Sequence, residues 1–117
     1  MIFGDGRQTR DFIYVKDVVA ANAFFALKSQ ATGVFNVACG RQITITDLAV
    51  TIRNLTKSSS TIEHEAERPG DVKHSVASVD KIQTAGFTPV CDFAGGLRAI
   101  IEFFRKDIAG IEQGQHL

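Results

Sequence analysis

The chain has 117 residues, of which 44% are hydrophobic and 22% are charged, a composition typical of one soluble globular domain spanning residues 1–117. A chain of this length is expected to bury roughly 65% of the surface that it exposes when unfolded. Its 13 basic and 13 acidic residues give no net charge, which argues against nucleic acid or an anionic membrane as the main partner. No apolar run reaches the roughly 18 residues of a spanning helix, and residues 1–7 lack the apolar region of a signal peptide.

The first elements in chain order are a turn, a strand, a helix and a second strand. Glycines at both ends of Gly4–Gly6 predict a tight turn. Residues 11–15 are β-branched or aromatic enough to predict a strand. Asp17 starts a helix that is apolar nearly all round to Leu27, so we expect it to be buried on more than one side. The apolar residues 34–38 predict a short strand covered on both faces.

The second half of the chain alternates helices with short extended segments. Thr44 or Thr46 caps a helix whose apolar stripe is Leu48, Ala49, Ile52 and Leu55. The remaining predictions are a loop at 57–60, strands at 61–65 and 74–78, a break at 68–71, helices at 80–85 and from Asp92 or Phe93, and a frayed tail at 110–117. The fold class is therefore α/β (α+β), with short strands and three main helices. Four phenylalanines at helical positions are assigned to a core or an interface: Phe24, Phe25, Phe103 and Phe104.

The two cysteines, Cys39 and Cys91, are too few for a disulfide scaffold and do not form a CxxC pair. We expect them to be free thiols in a reducing environment, and the protein to be cytoplasmic.

Several catalytic and cofactor motifs are missing from these residues. Gly4-Asp5-Gly6 begins like the dinucleotide-binding GxGxxG turn, but Thr9 replaces its third glycine. No Gly-Lys pair of a P-loop, no HExxH or other metal-ligand spacing and no GxSxG occurs. Tyr14 is the single tyrosine, and Val18 stands where a Tyr-xxx-Lys pair needs lysine. No catalytic, cofactor-binding or metal-binding residue is predicted, and His64 and His74 are interpreted as solvated side chains.

Three polar features could still bind a ligand. Arg10 follows the glycine turn and could present its guanidinium to a phosphate or carboxylate, or else pair with Asp11 or Asp17 at the surface. Arg68 and Asp71 flank a stiff Pro-Gly turn and could grip an anion and a hydroxyl, or else form an exposed ion pair. Asn36 interrupts an apolar run and could face a ligand or bond neighbouring loops.

These segments resemble, in order and spacing, the nucleotide-sugar epimerases and dehydratases of the extended short-chain dehydrogenase/reductase family. Residues 4–18 are similar to the family segment GDGxQxRDFxYVxDV, and residues 34–40 to its xYNVGxG strand. Residues 68–75 resemble RPGDxxxS, and residues 85–104 resemble the family's ending. The likeness is nearest to UDP-glucose or UDP-N-acetylglucosamine 4-epimerases, with dTDP-glucose 4,6-dehydratases next.

The resemblance implies a nucleotide-sugar site in this chain. In the family, the arginines matching Arg10 and Arg68 contact the nucleotide diphosphate, the acid matching Asp71 lies near the ribose, and Asn36 is a weaker candidate. NAD and the Tyr-xxx-Lys pair belong to the family's N-terminal Rossmann half. We therefore expect a C-terminal, substrate-binding portion without that half, corresponding to roughly the last third of a family member.

Two functions follow as expectations. The first is weak binding of a UDP-sugar, with no NAD bound and no epimerase activity by this chain alone. The alternative is a self-associating structural or interaction module, or a half that complements a separate Rossmann subunit. Residues 34–38 could then pair across a homodimer interface.

Overall fold

The computed structural model describes residues 1–112. It has four two-residue strands and four helices, and this mixed α/β organisation with short strands confirms the predicted class. In chain order the elements are β1 (Ile2–Phe3), β2 (Thr9–Arg10), α1 (Val15–Leu27), β3 (Ile43–Thr44), α2 (Ile45–Thr56), β4 (His64–Glu65), α3 (Asp80–Thr84) and α4 (Phe93–Glu112). Among these residues, no helix is long and apolar enough to cross a membrane.

The segment from β1 to β2 organises the strand region. β1 pairs in parallel with β4, so that Ile2 lies opposite His64. β2 pairs antiparallel with β3, with Thr9 opposite Thr44, and Thr9 also forms a parallel bridge with His74. Three distant parts of the chain are thus hydrogen-bonded to the first ten residues.

Helix α2 begins where its capping residue predicts. The Thr44 hydroxyl accepts a hydrogen bond from the Asp47 amide at 3.0 Å, which satisfies one of the free N–H groups of the first turn. Leu48, Ala49 and Leu55 of the predicted stripe are half-buried, and Ile52 is 37% exposed. The N-cap prediction is confirmed for Thr44, while Thr46 already lies inside the helix.

The predicted strand at residues 11–15 is wrong. The strand is Thr9–Arg10, because β3 pairs with those two residues. Helix α1 already begins at Val15. The predicted burial of α1 on more than one side is also wrong for this chain. Only Asp17 and Ala21 are buried, whereas Val19 is 59% and Leu27 is 82% exposed.

Residues 34–38 do not form the predicted strand. Strands need a hydrogen-bonding neighbour, and none of the described residues pairs with this segment. Val34 is 83% exposed, and of the five residues only Ala38 is buried. Residues 34–38 are therefore not covered on both faces, and this part of the prediction is also wrong.

The predicted helices in the second half are confirmed with adjusted ends. α3 begins at the predicted Asp80 and is closed by Gly86 with a positive φ of 101°, and α4 begins at Phe93. α4 continues to Glu112, so the predicted tail is wrong for residues 110–112, and residues 113–117 lie outside the described part. Phe103 and Phe104 are 65% and 55% exposed, so they are not core residues within this chain.

The hydrophobic core is smaller than the chain length predicts. The accessible surface is 8447 Å², against about 6200 Å² expected for a folded monomer of this mass. That surface corresponds to burial of about 54% of the unfolded chain, short of the predicted 65%. The radius of gyration of 17.5 Å also exceeds the roughly 13 Å of a compact domain of this length. Among the described residues, the buried apolar side chains are Ile2, Ala21, Ala38 and Ile82.

The expectation of free thiols is wrong, since Cys39 and Cys91 form a disulfide across a sequence separation of 52 residues. Their Cα atoms lie 5.7 Å apart, a normal bonding distance. Sequence spacing cannot reveal this pairing, because the tertiary fold brings the two loops together. Disulfides are more usual in oxidising compartments, and the cytoplasmic location stays a prediction.

Candidate functional site

A groove with a volume of about 350 Å³ lies between the β1–β2 connection and residues 67–74. Polar and charged side chains dominate its lining, with Phe3 as an apolar wall. The lining residues are Phe3, Gly4, Asp5, Arg7, Gln8, Glu67, Asp71, Lys73 and His74. A concave site of this size, with charged side chains beside apolar surface, suits a ligand that carries charged groups.

The glycine turn on one side of the groove is tightly built. Gly4 and Gly6 have φ of 84° and 76°, the left-handed region that glycine enters without strain. The Gly6 carbonyl accepts bonds from the Thr46 amide at 3.1 Å and the Thr46 hydroxyl at 3.0 Å. The Gln8 side-chain amide donates to the Phe3 carbonyl at 2.8 Å, which ties the two ends of the turn together.

Residues 71–75 are held beside β2 on the other side of the groove. The Thr9 amide donates to the Lys73 carbonyl at 2.7 Å, and the Ser75 amide donates to the Thr9 carbonyl at 3.2 Å. The buried Thr9 hydroxyl lies 3.1 Å from His74 Nδ1. His74, which the sequence placed in solvent, is thus exposed yet hydrogen-bonded and part of the groove wall.

Arg10 and Asp71 meet across 61 residues of sequence. Arg10 Nη2 donates to Asp71 Oδ1 at 2.8 Å, and Nη1 donates to the Thr9 carbonyl at 2.7 Å. Both side chains are 29% exposed, so the pair is neither buried nor fully solvated. A guanidinium has five N–H donors, so Arg10 can hold Asp71 and still bond an anion. The predicted alternative of pairing with Asp11 or Asp17 is not what the structure contains.

Arg68 lies against the apolar wall of the groove. Its guanidinium carbon is 3.8 Å from the centroid of the Phe3 ring, a cation–π contact. The Asp71 amide donates to the Arg68 carbonyl at 3.2 Å across the turn, where Gly70 has a φ of 78°. The turn is as predicted, but Asp71 pairs with Arg10 and forms no ion pair with Arg68.

Asn36 is not brought to the groove. Its side chain is exposed, and its Nδ2 lies 3.5 Å from the Ser78 carbonyl, at the limit of a hydrogen bond. The structure thus places Asp71 in the groove lining, brings Arg10 and Arg68 against the lining residues Asp71 and Phe3, and leaves Asn36 on a separate loop.

Sequence reasoning missed Phe3, Gln8 and Lys73. Phe3 directly precedes the predicted glycine turn, and no role was assigned to it or to the polar residues Gln8 and Lys73. The signal that could have found them is their position directly beside the glycine turn and the Pro-Gly turn. Lys73 and Arg7 add two positive charges to a groove whose acids are Asp5, Glu67 and Asp71.

The glycine turn does not have the form of a dinucleotide site. It joins two strands, whereas a pyrophosphate cradle joins a strand to a helix N-terminus. A Cβ built on Gly6 would lie 2.1 Å from the Thr46 hydroxyl oxygen, so Thr46 packs directly on this glycine. Within residues 1–112, no three His, Cys, Asp or Glu side chains form a group that could hold a metal ion.

Comparison with known sequences gives the same family as the motifs. Residues 1–38 match the model of the NAD dependent epimerase/dehydratase family. A putative UDP-glucose 4-epimerase of Methanocaldococcus jannaschii is 28% identical over 107 residues, covering 92% of this chain and 34% of the relative. The chain thus spans about a third of the length of the curated relatives that it matches.

Solved structures are similar over nearly the whole chain. The UDP-N-acetylglucosamine 4-epimerase of Methanobrevibacter ruminantium, in complex with UDP-N-acetylmuramic acid, is 40% identical with a TM-score of 0.84. The match covers 91% of this chain and 34% of that one. The UDP-glucose 4-epimerase of Thermotoga maritima, with UDP-glucose, is 34% identical with a TM-score of 0.83, covering 92% and 35%. The predicted resemblance to NAD-dependent epimerases and dehydratases is confirmed.

Proposed function

We propose that this chain forms the nucleotide-sugar-binding part of an NAD-dependent epimerase/dehydratase and takes a UDP-sugar in the groove. The observation that supports this proposal best is that Asp71 and Phe3 line the groove, while Arg10 is hydrogen-bonded to Asp71 and Arg68 lies on the Phe3 ring. Ligands of the similar structures support the chemical class, since two of them hold UDP-glucose or UDP-N-acetylmuramic acid.

Each of the three residues has a physical role in this proposal. A diphosphate carries charge that the guanidinium groups of Arg10 and Arg68 can match with charge-assisted hydrogen bonds. Asp71 accepts from Arg10 through one carboxylate oxygen, which orients the guanidinium, and its other oxygen can accept from a ribose hydroxyl. Asn36 remains a weaker candidate, and its contact with Ser78 lends it no support.

Chemistry on the sugar lies outside the proposed role. When bound in an epimerase, NAD takes a hydride from the sugar and returns it. This sequence contains neither a GxGxxG turn nor a Tyr-xxx-Lys pair, and the Gly4–Gly6 turn joins two strands, not a strand and a helix N-terminus. We therefore propose that this chain alone binds no NAD and does not epimerise. Interconversion of UDP-glucose and UDP-galactose by the purified chain with NAD supplied would refute this.

Calorimetric titration with UDP tests the binding role. Replacing Arg10 or Arg68 by alanine should weaken UDP binding about 10- to 150-fold, the loss of about 1.5–3 kcal/mol for a hydrogen bond to a charged group. Arg105→Ala is the matched control, because that arginine lies on α4 in an exposed pair with Glu102 and should leave the affinity unchanged. Absence of UDP binding by the wild-type chain, or equal affinities for all variants, would contradict the proposal.

We also propose a second role, in which this chain docks to another folded surface. The observation that favours it is the accessible surface, which is about a third larger than that of a compact monomer of this mass. The open area is apolar along α1 and along the second half of α4, where Ile108 and Ile111 are 56% and 62% exposed. α1 carries no charge from Val18 to Leu27, so an apolar partner surface suits it. We propose that the partner is a nucleotide-binding half of the same family, because the relatives are about three times longer.

Sedimentation and co-purification test the docking role. Val19→Asp should abolish co-purification with the nucleotide-binding two-thirds of the Methanobrevibacter ruminantium relative, because it places a charge at the centre of the exposed α1 face. Asn22→Asp, also exposed on α1, adds the same charge at a site that is already polar and should reduce it less. If the wild-type chain sediments as a dimer and does not bind the added nucleotide-binding half, the result would support self-association instead.

A further inference from the structure

The disulfide joins two loops, residues 33–42 and residues 88–93. Each loop also donates backbone hydrogen bonds to an aspartate in residues 11–17. Asp11 accepts the amides of Cys39 and Gly40 at 3.0 and 2.8 Å. Asp17 accepts the amides of Val90 and Cys91 at 3.1 Å each. Each bonded cysteine therefore has its backbone held by an aspartate from the start of α1 or the residues just before it. The disulfide closes this arrangement covalently.

Cys91 is held in an unfavourable backbone conformation. Its φ is 56°, in the left-handed region that a residue with a Cβ avoids. Three interactions keep it there: the bond to Cys39, the hydrogen bond from its amide to Asp17, and a hydrogen bond from Arg41 to its carbonyl oxygen. Loss of the disulfide would allow Cys91 to relax toward an ordinary conformation and would weaken the other two contacts.

The disulfide can be reached from solvent. Both cysteines are half-buried, and Cys91 lines a surface pocket of about 100 Å³ together with Tyr14 and Phe93. Exposed or strained disulfides are the ones that exchange with thiols, whereas fully buried ones are inert. Since Cys91 lines this opening, we expect an attacking thiolate to approach the disulfide from this side.

We propose that Cys39–Cys91 is a redox-modification site at which a dithiol reversibly unlocks the two loops. A reductant thiolate attacks Cys91 Sγ, the S–S bond breaks, and Cys39 leaves as a thiolate that takes a proton. The second thiol of the reductant then attacks the mixed disulfide and releases Cys91 as a thiol. The protein disulfide gains two electrons and two protons, and the dithiol becomes a cyclic disulfide.

The increase in mobility after reduction of the disulfide should be confined to residues 33–42 and 88–93. The groove is held by hydrogen bonds that involve neither cysteine, such as Thr9 to Lys73 and Ile45 to Gln8. The strand region should therefore keep its structure when the disulfide is reduced. This inference is independent of the proposed nucleotide binding.

Amide hydrogen exchange followed by NMR tests the site. Reduction of the wild-type chain by dithiothreitol should expose two alkylatable thiols. It should speed exchange at Gly40 and Cys91 by at least about tenfold, because local opening becomes easier once the crosslink is lost. The amides of Thr9 and Ile45 should be unchanged, and reoxidation should restore slow exchange.

The double variant Cys39→Ser, Cys91→Ser is the matched control and should exchange like the reduced wild type, with or without dithiothreitol. Three results would overturn the proposal. The disulfide could resist dithiothreitol until denaturant is added, exchange at Gly40 and Cys91 could stay slow after reduction, or exchange at Thr9 and Ile45 could rise equally. If the double variant does not fold, the wild-type reduction series decides alone.

Discussion

Helices α1 and α2 have similar lengths, 13 and 12 residues, but they are stabilised in different ways. α2 has a side-chain cap at Thr44, a basic residue in its last turn, and a left-handed Lys57 at its end. α1 has no side-chain bond at its N-cap, Tyr14, and no basic residue in its last turn. Local sequence therefore completes α2, whereas α1 depends on contacts with the rest of the fold.

The buried face of α1 consists of Asp17 and Ala21, one turn apart. Asp17 uses its carboxylate for the loop at Val90 and Cys91, and so joins α1 to the start of α4. Val18, Phe24 and Phe25 are half-buried, and the other apolar residues of α1 are exposed to solvent. Helix α2 is therefore completed by residues within this chain, whereas much of the apolar surface of α1 stays exposed.

Replacing Asp17 by alanine should have the largest effect. Two backbone amides would lose a charged acceptor in a site where Asp17 is 7% exposed, so the free energy of unfolding should fall by about 3 kcal/mol. Asp47→Ala, at an exposed position in the first turn of α2, should cost about 0.5 kcal/mol through the helix dipole. Urea denaturation measures both. Equal losses would show that the Asp17 contacts do not hold α1.

Enlarging Ala21 should have the next largest effect. Ala21 is 1% exposed, so leucine would overpack its site and lower the free energy of unfolding by about 2 kcal/mol. Ala23→Leu, exposed on the same helix, should change it by less than about 0.5 kcal/mol. Thermal and urea unfolding of the pair would sharpen the assignment of the buried face. A neutral Ala21→Leu would mean that this face is not packed.

Removing the cap of α2 should have the smallest effect. Thr44→Ala leaves the Asp47 amide without its acceptor and should cost about 1 kcal/mol. Thr44→Ser keeps the hydroxyl and should recover most of that stability, as measured by urea denaturation. If serine does no better than alanine, the loss comes from the β3 pairing of Thr44 and not from the cap.

Much of the helical structure could be predicted because its signals are local. The start of α2 at Thr44, the end of α3 at Gly86 and the start of α4 at Phe93 each depend on residues within one turn. The strands were predicted less well. Residues 34–38 have strand composition but pair with no segment within residues 1–112, and Thr9–Arg10 become a strand only because Ile43–Thr44 lie beside them.

The candidate site was predictable as a set of residues but not as a geometry. Motif resemblance identified Arg10, Arg68 and Asp71, and the fold adds that Arg10 bonds Asp71 while Arg68 stacks on Phe3. Asn36, identified in the same way, lies on another loop. The His74 contact with Thr9 spans 65 residues, and no periodicity or spacing reveals such a contact.

The sequence by itself determined the family resemblance, the mixed α/β class, the glycine turns and the starts of α2, α3 and α4, because these depend on neighbouring residues and on backbone preferences. Tertiary structure decided the Cys39–Cys91 disulfide, the Arg10–Asp71 pair and the exposed face of α1. The disulfide and the ion pair form because segments far apart in sequence meet in the fold. The α1 face is exposed because no other described segment packs against it. The opening expectation of an adequately buried core also came from length alone. It failed because burial requires a surface to pack against, and this chain leaves about a third more surface open than a compact monomer of its mass.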